Sequence, residues 1–196
     1  MNRAVCLLAC AVAVFGSAWA AAQSESSEAS SSATSGVPIE RLVAGVAHKT
    51  GKKFLLDPRV HANVILIGIE PAEIGYPELL AVLTTYGYGA IEDGRLIRII
   101  PDANLRQQVT PTITPKDTRL PDEFVTELIP LKNISAAQLI PILRPMVAQY
   151  GHMAAVPDTN MMIVSDRFAN VKRIEAMVRA FDEADAAKPR NGNPGK

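Results

Sequence analysis

The chain has 196 residues, of which 20 are basic and 20 acidic, and 48% of it is apolar. Balanced charge leaves no electrostatic footprint for nucleic acid or an anionic membrane surface, and the length has room for two small folded domains between poorly structured ends. Both cysteines, Cys6 and Cys10, sit at the extreme N-terminus, so the folded part is expected to contain no disulfide and no thiolate metal site.

At the N-terminus, Arg3 precedes the apolar run from Ala4 to Gly16 and then Ala18-Trp19-Ala20. Small residues at Ala18 and Ala20, ahead of Ala21, form the pattern of a secretory signal peptide cleaved after Ala20, which implies export. The run is shorter than the about 20 apolar residues a spanning helix needs. Leu7-Leu8-Ala9-Cys10 carries the competing pattern of a lipoprotein site lipidated at Cys10, although the apolar run continues past it. Residues 21–36 are almost entirely Ser, Ala, Glu and Thr, with nothing large and apolar to offset the entropy of ordering, and are expected to be a disordered linker.

The first domain is expected over residues 37–102. Ile39, Leu42, Val43 and Val46 recur at helical spacing behind Pro38 and ahead of Gly51, predicting a helix over 39–50. Phe54 to Leu56 and Val64 to Ile67 read as short strands. Leu79, Leu80, Val82, Leu83 and Tyr86 predict a second helix between Pro77 and Gly87. Ala90 to Glu92 and Leu96 to Ile100 flank Asp93-Gly94, a hairpin signal. The predicted order is α-β-β-α-β-β. Residues 103–123, with Pro111, Pro115 and Pro121 among polar residues, read as a linker at which the chain splits.

The second domain is expected over residues 124–183. Val125, Glu127, Ile129 and Leu131 share one face of a strand. Ser135 and Gln138 have capping-box spacing ahead of a helix with Leu139, Ile140, Ile142, Leu143, Met146 and Val147, kinked by Pro141 and Pro145. Strands at His152 to Val156 and Met161 to Val164 are joined by a turn at Pro157 to Asn160. Asp166 is the expected cap of a last helix buried through Val171, Ile174, Met177, Val178 and Phe181. The order β-α-β-β-α makes a three-stranded sheet covered by two helices, and residues 184–196 read as a disordered tail.

Chemistry is sparse. His48, His61 and His152 lie in different elements without metal-ligand spacing. Ser165 beside Asp166 is better placed for capping than for acid-base work. Gly51-Lys52-Lys53 lacks phosphate-loop spacing, and no Gly-x-x-Gly loop supports nucleic-acid binding by the second domain. Lys172, Arg173 and Arg179, balanced by Glu175, Asp182 and Glu183, read as a solvated helix face. No catalytic, metal or cofactor-binding residue is predicted, and the chain is not expected to be an enzyme.

The segments between elements carry a resemblance. Thr50 to Val60, Gly87-Tyr88-Gly89-Ala90 and Ile97 to Pro101 are similar to the first periplasmic domain, N0, of type II secretion secretins. Ile129 to Asn133, Ala136 to Leu139, Tyr150 to Ala155, Ile163 to Arg167 and Ala169 to Val171 are similar to the second, N1. The resemblance spans about residues 39–183. It implies an α+β fold in two small domains: an N0-like domain of the secretin/TonB short N-terminal type and a KH-like β-α-β-β-α N1 domain. It also implies a periplasmic, non-catalytic role in protein secretion without the channel. The implied partners are the full-length secretin ring, the inner-membrane clamp protein and exoproteins, with weak homo-oligomerisation. An independent periplasmic binder of cargo or of another envelope complex, or a degenerate secretin fragment, is the alternative. The family's N0 domain begins with a strand, and its place here is held by the polar run Ser30 to Gly36, a poor strand former.

Overall fold

The computed structural model describes residues 36–188. The leader, Cys10, the cleavage site at Ala18, Ala20 and Ala21, and the last eight residues of the expected tail lie outside the described residues. From Val37 onward the chain clusters as one compact unit, with two main cores and a third, smaller one.

The first module begins with a strand of two residues, β1 (Val37–Pro38), so its order gains an element over the prediction. Helix α1 (Ile39–Thr50) has the expected bounds and buries Ile39, Leu42, Val43 and Val46. Strand β2 (Phe54–Leu56) follows. The strand expected at Val64 to Ile67 contracts to β3 (Asn63–Val64), which pairs antiparallel with β1. Its continuation fails for a local reason: the Ile65 amide donates to Tyr86 Oη at 3.0 Å, and Gly68 takes φ +74°, outside extended geometry. Helix α2 (Tyr76–Thr85) starts behind Gly75, whose amide donates to Glu78 Oε2 at 2.9 Å. Strands β4 (Tyr88–Asp93) and β5 (Leu96–Pro101) form the hairpin, and β2 joins β5 in parallel. The core lies between α1, α2 and the inner face of this sheet, with Leu79, Leu83 and Ile99 at most 1% exposed. Each such side chain contributes about 1.5–3 kcal/mol. A surface pair such as Lys52–Glu92, at 39% and 50% exposure, contributes at most about 1 kcal/mol, so the apolar core decides this fold.

The expected linker is folded. Asp102–Gln107 form a 3-10 helix and Thr112–Ile113 form β6. Strand β6 lies parallel to β7 (Phe124–Pro130), which makes the second sheet four-stranded instead of three-stranded. Composition alone misses this because a strand of two residues draws its stability from pairing, with Ile113 buried in the second core. Helix α3 (Ala136–Leu143) stops short of the prediction and passes into a 3-10 turn, Arg144–Met146. Pro145 lacks the amide that would continue the α-helical ladder, so the helix ends where a kink was expected. Strands β8 (His152–Val156) and β9 (Met161–Arg167) complete the sheet in the order β6-β7-β9-β8. Helix α4 (Phe168–Ala186) runs into the expected tail. It buries Val171, Ile174 and Val178, whereas Phe181 is 39% exposed.

Neither expected cap forms. Ser135 makes no side-chain cap, and the Ala136 amide donates to Asn160 Oδ1 at 2.8 Å instead. Asp166 lies inside β9, 1% exposed, where Oδ2 accepts from the Ala148 amide at 2.8 Å. The first amides of α4 instead reach the folded linker: Phe168 N donates to Glu123 O at 2.8 Å and Ala169 N to Pro121 O at 3.0 Å.

Candidate interaction surfaces

Among the described residues, the second sheet is covered on one side only. Helices α3 and α4 pack over Val125, Ile129, Met153, Met162 and Val164. Alternation along the strands sends the intervening residues to the other side. Cross-strand register there aligns Leu128 with Ile163 and Ala154, and Pro130 with Met161 and Val156. All six are half-buried or exposed, with Leu128 at 41%. Beside them, a row of hydroxyls closes on itself, with Thr126 Oγ1 3.0 Å from Thr110 Oγ1 and 2.8 Å from Ser165 Oγ. Ser165 is thereby occupied in a structural network.

A second apolar area lies at the end of α3. Leu139 and Leu143 face the core, but Ile142 and Met146 are 54% and 42% exposed. Ile142 lies within α3 and Met146 in the 3-10 turn that follows it. In the first module, the segment after β3 presents Ile65 at 57%, Ile67 at 88% and Ile69 at 48% exposure. Apolar residues this exposed and this close together are the kind that mark contact surfaces.

The basic cluster on α4 is more than a solvated face. Beneath it, Glu127 is fully buried and Glu175 is 7% exposed. Lys172 Nζ lies 3.4 Å from both Glu127 oxygens and 2.9 Å from Glu175 Oε2, while Arg179 also pairs with Glu175. Burial, together with the charge of Glu175, pushes the Glu127 carboxyl up, against the pull of Lys172. An open cleft of about 420 Å³ adjoins this network. On its rim, Asp182 accepts from the amides of Lys132, Asn133 and Ile134 at 2.7–3.2 Å. Burial of Asp182 opposes ionisation, but those amides hold its carboxyl below the usual range. These acids are matched by the protein's own donors.

The three histidines are not brought together. His48 lies in α1, His152 in β8, and His61 pairs with Glu40 at 2.8 Å. Among the described residues, no group of three or more His, Cys, Asp or Glu side chains is arranged to hold a metal ion. Also among the described residues, no helix is long and apolar enough to cross a membrane.

The GspD-like N0 domain model matches residues 34–99, and the bacterial type II/III secretion system short domain, Secretin_N, matches residues 126–187. The chain belongs to the type II secretion secretin family. Secretin XcpQ of Pseudomonas aeruginosa is 33% identical over 147 residues, covering 74% of this chain and 22% of the relative. Secretin GspD of Vibrio cholerae is 25% identical over 154 residues, covering 76% and 23%. The chain therefore spans less than a quarter of the length of these two secretins. Among solved structures, the type II secretion outer-membrane complex of Klebsiella pneumoniae, with PulD, PulS and the PulC HR domain, superposes with a TM-score of 0.62 at 22% identity. That match covers 79% of this chain and 27% of that one, and shows a shared fold. The secretin resemblance thus rests on both modules, and the α+β architecture of small secretin domains holds. At this level the chain is a secretion-system module.

Proposed function

We propose that the chain is a non-catalytic packing module of the periplasmic part of a type II secretion machine, working through its second module. The observation that carries this reading is the bare apolar sheet face of Leu128, Ile163 and Met161 in a molecule that also exposes Ile142 and Met146 at the helical side. A sheet face on one subunit and a helix end on the next make a heterologous contact, the kind that repeats around a ring. Each contact is small, so affinity depends on avidity within the assembly. The partners are secretin domains of the same kind, and exoproteins would meet the assembled ring.

Sedimentation velocity of the full chain, mixed with the periplasmic region of the same organism's secretin, tests this. A complex is expected. Leu128→Glu and Ile142→Glu should each weaken it at least tenfold, since either change charges one side of the contact. No complex at high micromolar concentration, or a complex indifferent to both changes, would remove the proposal.

A second surface supports a second partner. The exposed Ile65, Ile67 and Ile69 follow a two-stranded ribbon, which suits an added strand or an apolar partner edge. The inner-membrane clamp protein is the proposed occupant, by resemblance of the first module to the domain that docks it.

A further inference from the structure

The segment between the modules is fastened to both. Leu105, on the 3-10 helix of residues 102–107, is 1% exposed and forms the third apolar cluster with Ile91, Ile100 and Phe124. Ile91 and Ile100 come from the β4–β5 hairpin of the first module, and Phe124 is the first residue of β7 in the second. Leu105 seats there because residue 89 is glycine: a Cβ at Gly89 would stand 2.6 Å from Leu105 Cδ1, closer than carbon atoms can approach.

Arg167 adds a polar fastening at the same place, since it is the cross-strand partner of Phe124. Its Nη2 donates to both carboxylate oxygens of Asp102 at 3.0 Å and to Tyr88 O at 3.3 Å, and its Nη1 donates to Asp122 O at 3.2 Å. One guanidinium thus holds a first-module strand, the start of the linker and the end of the linker. Side-chain exposures of 14% and 19% put the Arg167–Asp102 pair largely out of solvent, where geometry of this kind is better retained than at the surface. At the linker's far end, Leu120 rests on the first core and Thr84 Oγ1 donates to Asp122 Oδ1 at 3.2 Å.

We propose that this junction is a releasable latch. Closed, it makes the two modules one rigid lever, so that a load on the first is delivered to the second without slack. Opened at Arg167, at Leu105 and at the contacts of Leu120 and Asp122 with the first module, the modules turn independently, with residues 102–109 as the hinge. The segment from Thr112 stays with the second module through β6. Each module keeps its own core when the latch opens, and the fastening consists of a few side chains, small enough to open without unfolding either half.

Pulsed electron spin resonance on the full chain tests this, with Cys6 and Cys10 changed to serine and spin labels on cysteines placed at the exposed positions Lys49 and Ala180. The parent is expected to give one narrow distance distribution. Arg167→Ala removes the polar fastening, and Gly89→Val displaces Leu105 without touching a charge. At least a twofold broadening in either variant, with helix content kept by circular dichroism, supports the latch. A distribution already broad in the parent, or parental width in both folded variants and in each combined with Leu120→Ala, overturns it. Asp102→Asn and Leu105→Ala are read in the same way should the first two fail to fold.

Discussion

The two modules solve burial differently. In the first, helices and sheet enclose an apolar core whose buried members are all hydrophobic, with Tyr76 the most polar among them. In the second, Glu127, Ser165, Asp166 and Glu175 are buried as well, while among the described residues one sheet face carries no helix. A buried charge must be matched at a fixed distance and angle, so the second module is held by geometry as much as by area. A scaffold fixed in that way can expose an apolar face and keep its register. The first module, held mainly by area, exposes its apolar residues in the irregular segment after β3.

The sharpest way to break this comparison is to remove one anchor from each module. Leu79→Ala, in the first core at 0% exposure, should cost about 2–5 kcal/mol through lost contacts and a cavity. Asn160→Ala, in the second, should cost about 2–3 kcal/mol with hardly any cavity, through lost hydrogen bonds and left-handed strain. Asn160 has φ 49°. Its side chain accepts from the Ala136 amide and donates to Leu131 O and Ile134 O. Urea denaturation of both variants measures the two losses. An Asn160→Ala cost under about 0.5 kcal/mol would mean that the polar hub matters little.

A smaller effect tests the buried acid. Glu127 titrates above its ordinary value because burial and Glu175 disfavour its charge. Its protonated form therefore contributes stability fully below the unfolded value, and the contribution is lost as pH rises through the raised folded value. Glu127→Gln abolishes that slope while Lys172 keeps Glu175 at 2.9 Å. The variant should be more stable than the parent at pH 7.5, by roughly 1 kcal/mol, and the gap should close towards pH 4.5. Thermal melts across that range would show it, and a parent more stable than the variant at pH 7.5 would contradict it.

The smallest effect lies on the first module's surface. Hydrogen bonds from the Arg59 side chain and amide hold the Asp57 carboxyl down to about 2. A depressed carboxylate contributes above its unfolded value and loses the contribution as pH falls through the folded one. Arg59→Ala should therefore lower stability slightly at pH 7, the effect being small because the pair is solvent-exposed. That loss should fade between about pH 4 and pH 2, as acid denaturation of variant and parent would show.

Legibility followed the range of the interactions. Helix α1 was readable because Ile39, Leu42, Val43 and Val46 carry the period themselves. The hairpin was readable because Gly94 takes φ +60° between two apolar runs. Strands β1 and β6, two residues each, have no period to read. Asp166 fits a cap by its position, yet its carboxylate serves Ala148 and Asn170, contacts that exist only after folding. The exposure of Ile142 and Met146 was not legible, because apolar spacing cannot say which side of a short helix meets the sheet.

Sequence alone determined the two secretin-type modules, their helices and most of their strands, since periodicity and turn residues act over a few positions. The tertiary structure alone decided that the proline-bearing segment is a fastening, that Glu127 lies beneath Lys172, and which sheet face stays open. The fastening depends on Tyr88, Asp102, Asp122 and Arg167, which meet only when both modules are in place, and the other two on strands and helices of the second module that are distant along the chain.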